Sequence, residues 1–229
     1  MSPSHIVVSS DFRFSDEGWT TIGNRPNGVK YETSSRSFLN RYIYAVDNSI
    51  NANYGTEDAD LWYFSLPNKF LGWNGILYGG KFQFTMSSFG GDFNKLVRKN
   101  TSKVNFIEIR CSKCRINKGL TIGYPLNLVE SYNGSTQTFS ISLTESSGWL
   151  KDPQNENLPW KTVSRCEFIQ VLSGITNITI LGDFTAWYES FGIDDVKLIT
   201  AKPAGRSHLP SCAQMAPDAK SCSCDNALL

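Results

Sequence analysis

A chain of 229 residues with 40% hydrophobic content is long and apolar enough to bury the core of one large all-β domain with tails. Its 22 basic and 21 acidic residues leave a net charge of +1, and no Lys/Arg run forms a patch, which argues against nucleic acid and against an anionic membrane surface. No apolar run approaches the roughly 20 residues needed to span a bilayer, and the opening MSPSHIVVSSDF lacks the basic and hydrophobic regions of a signal peptide, so a secreted protein would carry its signal upstream.

In chain order, Pro26-Asn27-Gly28 marks a turn, and Gly79-Gly80 marks another before Lys81-Phe82-Gln83-Phe84-Thr85-Met86. That run alternates polar and apolar residues, as a strand with one buried face does. Gly90-Gly91 follows, read like Gly79-Gly80 as a hairpin turn. Asn105–Arg110 and Thr138–Leu143 show the same alternation, with the exposed turn Asn133-Gly134 between them. Ser164 to Leu172 is the one candidate helix, with Cys166, Ile169 and Leu172 toward one face, and Asn177–Leu181 is again a strand. Many short strands with little helix predict an all-β fold, a two-sheet β-sandwich or jelly roll. The domain is placed at residues 1–200, with its body starting near Val7. Residues 201–229 form a linker, Ala201 to Gly205, and a tail too poor in large apolar residues to build its own core.

Six cysteines permit three disulfides: Cys111 and Cys114 form a CxxC, Cys166 stands alone, and Cys212, Cys222 and Cys224 crowd the C-terminus. A zinc site on Cys111, Cys114, Cys222 and Cys224 is the competing reading, but Cys222-Ser223-Cys224 is tighter than structural zinc sites prefer. Disulfides in an oxidising compartment are therefore expected. Asn100, Asn133 and Asn177 begin N-x-S/T sequons and are glycosylation candidates. The two histidines, His5 and His208, both lie in terminal segments, which removes the base from a Ser/His/Asp or Cys/His mechanism. Scattered carboxylates such as Glu57, Asp58, Asp60, Asp183 and Glu189 do not by themselves mark a catalytic pair. Trp62, Phe64, Phe82 and Phe84 read as core, whereas Trp73, Trp149, Trp160, Trp187 and Tyr188 sit beside Gly, Pro or polar residues and are candidate contact rings for a protein or glycan.

Several stretches resemble the laminin IV type A family found in laminin chains and perlecan. His5-Ile6-Val7-Val8-Ser9-Ser10-Asp11-Phe12 through Gly18-Trp19 is similar to the family's opening. Asp60-Leu61-Trp62-Tyr63-Phe64-Ser65-Leu66-Pro67-Asn68-Lys69-Phe70-Leu71-Gly72 resembles its "YW…AP..FLGD" signature, and Tyr78-Gly79-Gly80-Lys81-Phe82-Gln83-Phe84 its "SYGG.L.F" strand. Trp160 to Leu172 and Ile193-Asp194-Asp195-Val196-Lys197-Leu198 match later segments in order. Trp73 after the FLG motif, Cys166 and the CxxC depart from the pattern. The resemblance implies a non-catalytic extracellular matrix or cell-surface module, structural or adhesive, that packs against other matrix proteins or copies of itself. It further implies that Cys212…Cys222-Ser223-Cys224 opens an EGF-like half-repeat. The alternative reading is a calcium-containing carbohydrate-binding module. Galactose-binding-type sandwiches often hold a structural calcium ion where the first and last strands meet, and Asp11, Asp16, Glu17 and Asp195 supply hard oxygen ligands there.

Overall fold

The computed structural model describes residues 5–23, 28–35, 39–46, 61–91, 93, 104–129, 131–154, 158–185 and 189–201. Two antiparallel sheets face each other. The first contains β3 (Lys30–Glu32), β4 (Tyr42–Val46), β13 (Ser190–Thr200), β6 (Lys81–Gly90) and β9 (Gln137–Ser142), in that order. Its sixth strand, β1 (His5–Ser10), pairs with β13. The second sheet runs β11 (Lys161–Thr162), β10 (Leu150–Lys151), β8 (Leu120–Pro125), β7 (Asn105–Cys111), β12 (Asn177–Leu181), β5 (Tyr63–Ser65) and β2 (Thr20–Ile22).

Strand β13 spans the first sheet by changing partner along one edge. Ser190–Ile193 pair with β4, and Val196–Thr200 pair with β1. The change falls at Asp194 and Asp195. There the register with β6 shifts, and Asp195 takes a left-handed backbone conformation with φ +52°.

Period-two alternation produces the core. Phe82, Phe84 and Met86 point inward from β6, Ile178 and Ile180 from β12, and all are fully buried. Phe84, Phe106 and Phe139 form a ring cluster with centroids 4.8–5.6 Å apart. Each such ring contributes roughly 1.5–3 kcal/mol by leaving water, and edge-to-face geometry adds to that. Trp62 and Phe64 belong to the same core, as their sequence setting indicates. Gly182 lies under the Trp62 ring, and a Cβ there would stand 2.1 Å from it. That close approach requires glycine.

The helix expected over 164–172 is present as α2 (Arg165–Leu172), whereas α1 (Cys114–Asn117) is a single turn with no sequence signal. Ser164 caps α2 in a reciprocal capping box with Glu167, and Phe168, Ile169, Val171 and Leu172 form its buried face. Cys166 is only half-buried. Burial raises the Glu167 pKa, but hydrogen bonds from Lys151, the Ser164 backbone and Arg115 outweigh it and bring the carboxyl down to about 2.

The hairpin reading of the glycine pairs is corrected. Gly79-Gly80 leads from β5 in the second sheet to β6 in the first, and the segment after Gly90-Gly91 leads back to β7 in the second. Both are passages between layers. A Cβ on Gly80 would lie 2.0 Å from the Ile199 carbonyl, so close backbone approach is what selects that glycine.

Candidate functional site

Of the carboxylates offered to calcium, Asp11, Asp16 and Glu17 follow the end of β1 and Asp195 lies on its partner β13, and each is already engaged. Asp11 pairs with Arg13 at 2.8 Å, Asp195 pairs with Lys197 at 2.6 Å, and Asp16 Oδ1 accepts from Gly18 N–H at 3.0 Å. Glu17 accepts from the Phe12 backbone at 3.0 Å and from Lys69, whose ammonium also donates to the Ser9 carbonyl at 2.6 Å. Burial raises the Glu17 pKa, while hydrogen bonds from Lys69 and Ser10 bring it below the ordinary value. Lys69 thus places a positive charge of the chain's own at the strand junction. Among the described residues, no group of three His, Cys, Asp or Glu is arranged to hold a metal ion. The donor set does not fit calcium while Lys69 and Lys197 hold these positions.

A second carboxyl pair is sealed in the core. Asp183 and Glu189 are both 0% exposed. Glu189 accepts from the backbone N–H of Phe184 at 2.8 Å and of Thr185 at 2.9 Å. Burial, and then the charge of Asp183, push the Glu189 pKa well above the ordinary carboxylate range. Phe184 packs on Phe191 with centroids 4.8 Å apart and on Tyr132 at 5.3 Å, so the pair lies behind aromatic rings and out of reach of a substrate.

Trp149 is corrected from a contact ring to a core residue. It is 1% exposed, its indole N–H donates to the Ser142 carbonyl at 2.9 Å, and it packs against Tyr124 and Phe168. Trp73 is 51% exposed, beside the partly exposed Ile76. Trp187 and Tyr188 lie outside the described residues, as do Asn100, Cys212, Cys222 and Cys224. Cys111 and Cys114 form a disulfide with Cα atoms 5.5 Å apart, which removes them from the zinc alternative. Cys166 is disulfide-bonded as well. Asn133 is exposed, its Oδ1 accepting from Ser135 N–H, whereas Asn177 lies within β12 and accepts from Ser65 Oγ at 3.2 Å.

The outer face of the second sheet carries a site that motif reading passed over. Thr20, Ser65, Thr179, Glu108 and Gly123 stand in register across five strands. One hollow of about 560 Å³ opens over Thr20, Ser65 and Lys69, and another of about 320 Å³ over Glu108, Arg110 and Thr179. Asn177 lines both, so the two hollows adjoin there along the sheet face and are described together as a trough. The connection between β10 and β11 walls its far end with Asp152 and Trp160, and the Asp152 N–H is held by the Thr121 carbonyl at 3.0 Å. Glu108 accepts from Asn105 Nδ2 at 2.9 Å, and Gly123 leaves the space that the Asn105 side chain fills. Burial raises the Glu108 pKa, Asn105 opposes it, and Asp152 raises it further. Alternation in Asn105–Arg110 already turns Glu108 and Arg110 away from the core, but nothing local shows that Asp152 and Trp160 arrive beside them.

Two antiparallel sheets around an aromatic core, with the first and last strands paired and an open polar trough on one face, define a jelly-roll-like β-sandwich module. The laminin B (domain IV) family profile matches residues 63–213, about two thirds of the 229, and the chain belongs to that family. No curated protein matches it by sequence. Among solved structures, the L4b domain of human laminin α-2 is similar at TM-score 0.58 and 15% identity, covering 86% of this chain and 98% of its own. A family 11 carbohydrate-binding module of a Clostridium thermocellum cellulosomal cellulase aligns at TM-score 0.45 and 13% identity, covering 89% and 98%. A family 30 carbohydrate-binding module aligns at 0.43 and 12%, covering 94% and 92%.

Proposed function

We propose that the domain is a non-catalytic structural or adhesion module of the extracellular matrix or cell surface, which packs against neighbouring domains or copies of itself. The observation that carries this reading is membership of the laminin domain IV family across residues 63–213, a family of extracellular structural modules. The chemistry agrees with it. Among the described residues, the fully buried carboxyl pair is Asp183 and Glu189, and Glu189 spends its oxygens on backbone N–H groups behind aromatic rings rather than at a surface. Trp73, just before the short 3-10 turn Gly75–Leu77, and Ile76 within it present apolar surface to solvent, which suits a protein contact with little side-chain entropy to lose.

Light scattering over a concentration series, together with solid-phase binding to immobilised laminin and other matrix proteins, tests the reading. Self-association or matrix-protein binding that Trp73→Ala weakens is the expected result. A strictly monomeric chain that binds no matrix protein, or one that releases reducing ends from polysaccharides, would overturn it.

A further inference from the structure

The trough on the second sheet has three properties that a packing surface does not need. Its floor carries polar side chains on four neighbouring strands, with Thr20, Ser65, Thr179 and Glu108 in one row. Neighbouring strands stand about 4.8 Å apart, so the row is roughly 14 Å long, enough for about three sugar rings. Its far wall holds a half-buried indole, Trp160, an aromatic face for the apolar C–H side of a pyranose. Its charges nearly cancel: Glu17 is matched by Lys69 at one end, and Arg110 opposes Glu108 and Asp152 at the other.

A Glu side chain held in a hollow on a sheet face is costly unless hydrogen-bond donors reach it. Here the protein supplies Asn105, and Asp152 adds repulsion. Ligand hydroxyls are donors of the kind that suits such a carboxylate, and Arg110, Asn177 and the threonine hydroxyls return hydrogen bonds to ligand oxygens. The surplus of carboxylates over cations disfavours a sulfated or uronate-rich chain.

We infer that this trough is a binding site for a neutral, hydroxyl-rich oligosaccharide, with Trp160 as the ring platform and Glu108, Arg110, Asn177 and Thr179 as its hydroxyl partners. Trp73 lines neither hollow, so the Trp160 and Trp73 variants test this site and self-association or matrix-protein binding independently. Asn177 is both the residue shared by the two hollows and the asparagine of a sequon. A glycan attached there fills the trough from within.

The test uses the full chain made without N-glycans. It is applied to an array of neutral glucans, mannans, galactans and N-acetylhexosamine oligosaccharides beside sulfated glycosaminoglycan fragments, and the strongest neutral binder is then titrated calorimetrically. Binding to a neutral oligosaccharide is expected, with Trp160→Ala lowering the association constant at least tenfold and Glu108→Gln and Asn177→Gln lowering it severalfold. Trp160→Phe keeps a ring and retains most of the affinity, which separates loss of the platform from loss of the fold; near-UV circular dichroism of each variant checks the latter. Amide shifts on β7 and β12 should follow the titration. Four results would overturn the inference: capture of sulfated fragments only, no binding to any oligosaccharide, affinity unchanged in Trp160→Ala, or undiminished binding by protein bearing a glycan on Asn177.

Discussion

Replacing Glu189 by Gln should make the domain less sensitive to pH and more stable above neutrality. Glu189 and Asp183 are both fully buried, and burial together with the Asp183 charge holds the Glu189 pKa well above 4.5. The folded pair therefore keeps a proton that the unfolded chain releases near pH 4.5. Folded protein binds more protons than unfolded, so stability is greatest below that pH and falls as pH rises toward the folded pKa. Over the window in which one proton is retained, the loss is about 1.4 kcal/mol per pH unit. Measured from pH 5.5 to 7.5, wild-type stability should therefore fall more steeply with rising pH than that of the variant. Glutamine mimics the protonated acid: its carbonyl can accept from Phe184 and Thr185 N–H, and it carries no charge to desolvate. Urea denaturation of both proteins, followed by tryptophan fluorescence at each pH, gives the two slopes. Glu108 and Asp194 are also raised by burial and contribute to both proteins alike, so the difference between the slopes isolates the pair. Equal slopes for wild type and variant across this range would refute the reasoning.

Gly182→Ala places a methyl group 2.1 Å from the Trp62 ring, and a loss of about 1–3 kcal/mol is expected as a lower urea midpoint with unchanged m-value; a midpoint equal to wild type would show that the ring has room to move. Calcium at millimolar concentration and its chelation should give superimposable melting curves, because Lys69 and Lys197 hold Glu17 and Asp195; a rise in calcium that Asp195→Ala abolishes would restore the ion. Expression in a glycosylating host should attach a glycan at exposed Asn133, read as a mass shift on enzymatic deglycosylation that is smaller for Asn133→Gln; the same shift in both would place the modification elsewhere.

The parts of this fold that are legible in the chain are those encoded by short-range pattern. Asn177–Leu181 is a strand with the expected bounds, and Lys81–Met86 begins one that runs on to Gly90. The helix after Ser164 is announced by its own capping box, Ser164 with Glu167. What local pattern cannot carry is which layer a segment joins. Gly79-Gly80 and Gly90-Gly91 look like reversals, and only the pairing of β6 with β9 and β13 shows that the chain leaves the sheet at both ends. Trp149 sits between Gly148 and Leu150 in sequence, but Tyr124 and Phe168 bury it from distant positions. The trough failed to show for the same reason: Glu108, Asp152 and Trp160 are far apart along the chain, and no spacing rule joins them.

The pairing of β1 with β13 has a mechanical consequence. His5 lies opposite Thr200, so the two ends of the domain emerge side by side at the same end of one antiparallel ladder. Tension applied through the flanking segments therefore pulls on a single terminal rung and opens the ladder one rung at a time, rather than shearing all of its hydrogen bonds at once. Peeling of β1 meets little resistance until the separation reaches Ser10 and the Phe12–Trp19–Phe70 ring contacts behind it. A domain joined this way can give up length at low force at its rim while the aromatic core stays shut.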